Sequence, residues 1–442
     1  SPQAAEGDVN LAPARQRWQA ANLDEATRRM LAEDKAAFLH QSLSTPCLNA
    51  IARAEGAWIE DLQGRRYLDF HGNSAHQVGY GHPRVIEAIK AGLDTLPFCP
   101  RRYTNRPAIE LAQRLGELAP GRLNKVLFAP GGSAAIGIAL KLARVATGRF
   151  KTVSMWDSFH GASLDAISVG GEGQFRQGIG PLLPGTEHVP PPDPRRCPLK
   201  CGDRCSMACA SYLSYVLERE GDVAAVVAEP LRCTTAVQPP ADYWPRVREA
   251  CGRHGALLIF DEIPVGLGRT GTMFATELTG VTPDILVLGK GLGGGVFPMA
   301  AIVAHEDLDV AGTVSLGHYT HEKSPVGAAA SLATLDVIRD ERLVERSREL
   351  GSWFLSRLRK VAERHPSVLE VRGIGLLIGV EMRSASVAEA TMYEALTRGL
   401  SFKVSAGTVL TLTPPLTISE TELEFALGVL DAALGIAERE ER

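Results

Sequence analysis

The middle of the chain carries apolar, β-branched runs that alternate with helix-patterned ones. "KVLFAP" precedes "AIGIALKLARVA", "KTVSMW" and "VAAVVAEP" flank "SYLSYVLERE", and "YWPRVREACGRHG" leads into "ALLIFDE", with "ILVLGKG" and "MAAIVA" beyond. Runs such as "AAVVA" and "ALLIF" show no polar alternation, so neither face of such a strand meets water. Apolar strands separated by helices predict an α/β architecture around a large, mainly parallel sheet. A sheet of that kind binds ligands beyond the carboxyl ends of its strands.

The flanks read differently. Residues 14–40 predict a helix with Trp18, Leu23, Met30, Leu31 and Phe38 along one face. "GAWIEDLQGRRYLDF" predicts a hairpin and "HPRVIEAIKAGL" a helix. From about residue 325 the pattern becomes helix-rich α+β, with "PVGAAASLATLDVIRDE" as one long helix and "VLEVRGIGLLIGVEM" as a hairpin. The expected organisation is an N-terminal segment and small-domain hairpin over 1–75, a large α/β domain over 76–322, and a C-terminal α+β part over 323–442. The smaller domain thereby draws on both termini.

Charged residues are 22% of the chain and the net charge is −4, with no basic block, which argues against nucleic acid or an anionic membrane as partner. No apolar run is long enough to span a bilayer, and "SPQAAEGDVNLAP" lacks the features of a signal peptide. A cytoplasmic location is the expectation. There disulfides are rare, so the cluster "CPLKCGDRCSMAC" points to metal or to free thiols. Its Cys-x3 repeat is not a regular zinc spacing, and Pro198 and Gly202 favour an irregular loop inserted over 197–209. A closed structural zinc site on Cys197, Cys201, Cys205 and Cys209 and a set of reduced thiols both stay open; nothing in the cluster suggests a catalytic metal.

Chemistry collects instead at strand ends. Gly131, Gly132 and Ser133 follow "VLFAP", Glu229 follows "VVA", Asp261 ends "LLIFD", and Lys290 follows "ILVLG". Singly these have ordinary readings: a tight turn, a helix cap, a loop lysine. Phe159 in "WDSFHGAS" would likewise be an ordinary core aromatic. Together they supply what pyridoxal phosphate needs: an amine for its aldehyde, an anion for its ring nitrogen, helix N–H groups for its phosphate, and a flat ring partner.

From about residue 45 to 435 the chain resembles the class-III pyridoxal-phosphate-dependent aminotransferases, of fold type I. The resemblance rests on "LDFHGNSAHQVGYGHPRV", "FHG", "VVAEP", "LLIFDEIPVGLGRTG" and "LGKGLGGG", the last two being the most specific. It implies that Lys290 carries the cofactor, that Asp261 pairs with its ring nitrogen, and that Phe159 stacks on the ring, with His160 and Glu229 beside it. Gly132 and Ser133 would hold the phosphate, and Thr320 in "HYTHEKSPVG" would reach the phosphate of a neighbouring subunit, which implies a homodimer.

Four positions depart from the family pattern. Thr411 stands before "PPL" where members using 2-oxoglutarate carry an arginine, and Thr234 replaces that arginine's glutamate partner. Pro264 stands where a glutamine follows the Asp-Glu pair, and Glu322-Lys323 replaces two glycines. Losing both members of an ion pair strands no charge and is consistent with dropping keto-acid exchange. The strings "FLHQSLSTPCL", "FCPRRYTN" and "LGHYTHEKSPV" resemble a lyase subgroup that releases ammonia from a small β-hydroxy amine bearing a phosphonate. A phosphonate calls for cationic partners; Arg101 and Arg102 are the first candidates, then Arg232. The alternative is an aminotransferase acting on an ω-amine or amino acid with a keto-acid acceptor, and a non-catalytic binding module is the third reading.

Overall fold

The apolar runs assemble into a seven-stranded sheet in the computed structural model, which describes residues 12–201 and 205–441. Across it the strands run Leu123–Ala129, Ala300–His305, Ile285–Leu288, Leu257–Asp261, Val223–Ala228, Lys151–Met155 and Thr186–Val189. From Ile285–Leu288 to the Thr186–Val189 edge all pairings are parallel. Ala300–His305 is antiparallel to both neighbours. The link from Leu288 to Ala300 is too short for the helical crossover that parallel neighbours require, so the chain returns reversed. Every residue of Val223–Ala228 and Ile285–Leu288 is buried, as their unbroken apolar character predicts. The edge strand Thr186–Val189 escapes a hydrophobic pattern reading because Glu187 and His188 interrupt it.

The flanking hairpin forms with Trp58 opposite Leu68. Leu400–Ser401 then adds in parallel to Arg66–Asp69, so the two ends of the chain share one small sheet. Val368–Ile374, Leu377–Met382, Val409–Leu412 and Lys403–Ser405 make a third, antiparallel sheet. The indole N–H of Trp18 donates to Thr397 at 3.0 Å and that of Trp58 to Glu422 at 2.7 Å, tying N-terminal elements to C-terminal helices.

The expected single helix over 14–40 is two, Pro13–Asn22 and Glu25–Ala37. Asp24 breaks the run because its side chain accepts from the Thr27 N–H at 2.8 Å, as an N-cap. Trp18 and Leu23 are buried, but Met30 (47% exposed) and Phe38 (62%) are not, so the apolar stripe does not continue through the second helix. The hairpin Val368–Ile374 with Leu377–Met382 and the helix Pro325–Asp340 match their sequence patterns. Among the described residues no helix is long and apolar enough to cross a membrane.

Phe70 links these layers. Its N–H donates to the Ser401 carbonyl at 2.7 Å, and its carbonyl accepts from Thr413 N–H at 2.7 Å. Its ring meets Phe354 of helix Leu343–Ala362 edge-on, centroids 6.1 Å apart, both fully buried. Phe354→Ala is expected to cost about 3–5 kcal/mol through the void it leaves, read as a lowered thermal midpoint; an unchanged midpoint would mean the joint does not depend on that ring.

Candidate active site

Strand ends and loops converge on a cavity of about 630 Å³. Gly132, Ser133, Phe159, His160, Glu229, Arg232, Asp261 and Lys290 all line it, so eight of the sequence candidates meet in one place.

The strand Leu257–Asp261 delivers a carboxylate that is only 2% exposed. A buried charge must be paired or hydrogen-bonded. One oxygen of Asp261 lies 2.8 Å from His160 Nδ1, and the other accepts from the Ile263 N–H at 3.0 Å. His160 is itself buried, with Nε2 3.4 Å from the Ser154 hydroxyl, so the imidazole fixes the carboxylate's orientation.

The same loop carries Phe159. Its N–H donates to Glu229 at 3.3 Å, and its ring lies 4.6 Å from that of Phe175. Glu229 also accepts from the Cys233 N–H at 3.3 Å and from the Arg232 guanidinium. Glu229 therefore holds the backbone of the aromatic residue. Arg232 donates further to Glu172 at 2.9 Å, so its charge is met by two carboxylates.

The helix Gly132–Thr147 opens at the cavity with no side-chain cap on its first N–H groups. Such an end is an anion site. Around it the packing is tight: a Cβ on Gly132 would press on the terminal methyl of Ile263, 2.8 Å away, and one on Gly161, at φ +131°, would sit 2.3 Å from the Ser133 hydroxyl and 2.9 Å from its Cα, where only glycine fits. Ser133 Oγ accepts from the Ala162 N–H at 3.0 Å, locking this cradle. Lys290 directly follows Gly289 at the end of the strand Ile285–Leu288, with a left-handed φ of +45° and its side chain open to the cavity. An amine, a buried acid, an uncapped helix end and an aromatic face together fit pyridoxal phosphate.

Arg15, His71, Lys403 and Thr413 join Thr411 in the lining without a sequence signal, brought in from the first helix, the loop after the N-terminal hairpin, and the third sheet. Thr411 donates its hydroxyl to the Thr234 carbonyl and lies 2.8 Å from Ser405 Oγ. The two departures from the family pattern thus meet as a neutral pair. Burial, then the charge of Lys403, pushes the His71 imidazole down to about 4.

Other candidates lie elsewhere. Arg101 points its guanidinium at His318, 2.6 Å away, Arg102 and Thr320 are exposed, and none of the three lines the cavity of this chain. The zinc option is corrected. Cys197, Cys201, Cys205 and Cys209 are free thiols, and among the described residues no group of three or more His, Cys, Asp or Glu side chains can hold a metal ion. Cys209 turns into the helix Ala208–Glu220, where burial pushes its thiol up to about 11, while Cys201 stays outside, lowered to about 7 by the Ser206 hydroxyl and Cys197. Cys201 lies within hydrogen-bond reach of Cys197, and Cys209 feels the charges of Cys205 and Cys197.

The architecture and this constellation are those of a fold type I pyridoxal-phosphate enzyme. The model of the class-III aminotransferases matches residues 40–434, and the chain belongs to that family. It is 49% identical to an (R)-1-hydroxy-2-aminoethylphosphonate ammonia-lyase of Vibrio splendidus, covering 97% of this chain and 95% of the relative. It is 35% identical to an acetylornithine aminotransferase of Methanothermobacter thermautotrophicus, covering 86% and 92%. Among solved structures, an amine transaminase from an uncultivated Pseudomonas species in its PLP-bound form superposes with a TM-score of 0.85 at 33% identity, over 91% of this chain and 99% of that one.

His71 gives the site a pH signature. Its unfolded imidazole takes a proton near 6.5 that the folded chain refuses until about 4, so stability falls as pH drops through that window and is level above it. In the cofactor-free protein, His71→Asn is expected to flatten the loss of thermal midpoint between about pH 7 and 5; parallel curves for variant and wild type would refute the shift.

Proposed function

We propose that this chain is a pyridoxal-phosphate-dependent ammonia-lyase that converts (R)-1-hydroxy-2-aminoethylphosphonate to phosphonoacetaldehyde and ammonia. One observation carries the reading beyond the family: the cavity holds the hydrogen-bonded pair Thr411 and Thr234 at the two positions where the family resemblance puts the arginine and glutamate of members that use 2-oxoglutarate. The near end-to-end identity with a lyase of that activity supports it.

When bound, the cofactor supplies an electron sink for charge on the carbon bearing nitrogen. The chain's residues do the rest. Lys290 would hold the cofactor and serve as the base for the proton on that carbon. Asp261, fixed by His160, would be the acid partner for its ring nitrogen. Phe159 would supply an aromatic face, and Gly132, Ser133 and the helix end would hold its phosphate. The hydroxyl on the neighbouring carbon leaves as water, and the unsaturated amine takes water back, giving aldehyde and ammonia. No second substrate is consumed.

The working unit in this proposal is a homodimer. Thr320 stands exposed outside its own chain's cavity, on the segment that the family resemblance assigns to a neighbouring subunit's phosphate. A cytoplasmic location suits a chain whose eight cysteines are all free thiols.

The alternative, an aminotransferase with a keto-acid acceptor, has the acetylornithine relative on its side. Incubation with the hydroxylated aminophosphonate and no keto acid separates them. Release of ammonia and aldehyde in equal amounts is expected, whereas strict dependence on added keto acid would establish the transferase. Borohydride reduction is expected to leave the cofactor's mass on the Lys290 peptide, and Lys290→Ala to abolish both labelling and turnover; label on another residue would remove Lys290 from its role.

A further inference from the structure

Four cations line the cavity: Arg15, Arg232, Lys290 and Lys403. Lys290 sits on the cofactor side, and the charge of Arg232 is met by Glu172 and Glu229. Arg15 and Lys403 line it as well, each with contacts of its own, and no sequence motif marks either.

Their placement follows from the fold. Lys403–Ser405 pairs antiparallel with Val409–Leu412, and the register sets Lys403 directly opposite Thr411. Residues directly opposite in such a ladder point to the same face, and both line the cavity. The ammonium therefore projects over the neutral threonine pair. Its charge is felt by His71 and, with that of Lys290, by Cys233. Arg15, on helix Pro13–Asn22, is only 3% exposed and reaches the cavity beside Cys47 and Leu48, with Nη2 donating to the Pro46 carbonyl at 2.7 Å.

We infer that Lys403, backed by Arg15, is the anion subsite that seats the substrate's phosphonate and selects it over a carboxylate. The inference rests on the lyase reading for the substrate's identity, but the subsite can be tested without turnover. A phosphonate can carry two negative charges where a carboxylate carries one, so two cations favour it, and both an ammonium and a guanidinium can meet its oxygens. Lys290 and Lys403 line the same cavity, so a two-carbon substrate with an amine at one end and an anion at the other can address both.

The test uses the holoenzyme and calorimetric titration with ethylphosphonate, a substrate-sized anion lacking amine and hydroxyl, with propionate as its flat counterpart. Lys403→Met is expected to weaken ethylphosphonate binding by about tenfold or more, the scale of one lost charge-assisted hydrogen bond. It is expected to weaken propionate less, and to raise KM for the hydroxylated aminophosphonate more than it lowers kcat. Lys403→Arg is expected to recover part of the phosphonate affinity, and Arg15→Gln to weaken ethylphosphonate in the same direction. Cofactor absorbance and thermal midpoint identify any variant that has failed to fold. Wild type that does not bind ethylphosphonate, or a folded Lys403→Met that binds it unchanged, overturns the subsite. Wild type that binds ethylphosphonate through Lys403 yet releases no ammonia keeps the subsite and overturns the lyase reading instead.

Discussion

A carboxylate at the end of a strand buried on both faces is costly to keep, and much of this site follows from satisfying one. Asp261 is held by His160 and by the Ile263 N–H. To bring His160 in, the loop after Lys151–Met155 must fold back over the sheet's edge of the cavity. That folding lays Phe159 beside the place a flat cofactor would occupy, and it drives Gly161 so close to Ser133 that no Cβ fits. Glu229, from the neighbouring parallel strand, holds the same loop by the Phe159 N–H. Two acids on adjacent strands thus clamp one loop. Removing either would leave its partners buried without a counter-charge or acceptor, the expensive way to break such a network.

What the sequence discloses is the half of the site built from long, uniformly apolar strands. Each carries its functional residue within one or two positions of where the apolar run stops, so Asp261, Glu229, Lys290 and the Gly132–Ser133 turn can be found by locating strand ends. The rest of the lining has no such signal. Lys403 lies in a three-residue strand, and its position opposite Thr411 depends on a register across a tight turn that no local pattern encodes. Arg15 sits far away in sequence, on a helix whose break at Asp24 is set by one side-chain cap. His71 was visible as a polar residue in a motif, but its role as a neutral wall group depends on burial and on Lys403, both tertiary facts.

The same distinction applies to the remaining candidates. Arg101 and Arg102 lie in a loop outside this chain's own cavity, where Arg101 faces His318. For the cysteines the Cys-x3 spacing would carry a metal only if backbone geometry turned four sulfurs inward. Instead the last is absorbed into the core by the helix Ala208–Glu220, and a thiol held protonated by burial is a poor ligand, since ligands must lose their proton.

Lys290 shows how backbone strain serves placement. A strand continuing straight from Leu288 would send the next side chains alternately into faces covered by helices, where an amine has no partner. The chain avoids this by turning left-handed at Lys290 itself, a conformation that costs a non-glycine residue about 1–3 kcal/mol. Neighbours hold the turn: Leu292 N–H donates to the Gly289 carbonyl at 3.0 Å, and Gly291 lies so close to Gln77 that a Cβ would come within 2.0 Å of its amide. The glycines around the lysine are therefore packing requirements of the turn rather than hinges. They leave the amine open to the cavity that Lys403 also lines. A small molecule with an amine at one end and an anion at the other is the shape that uses both.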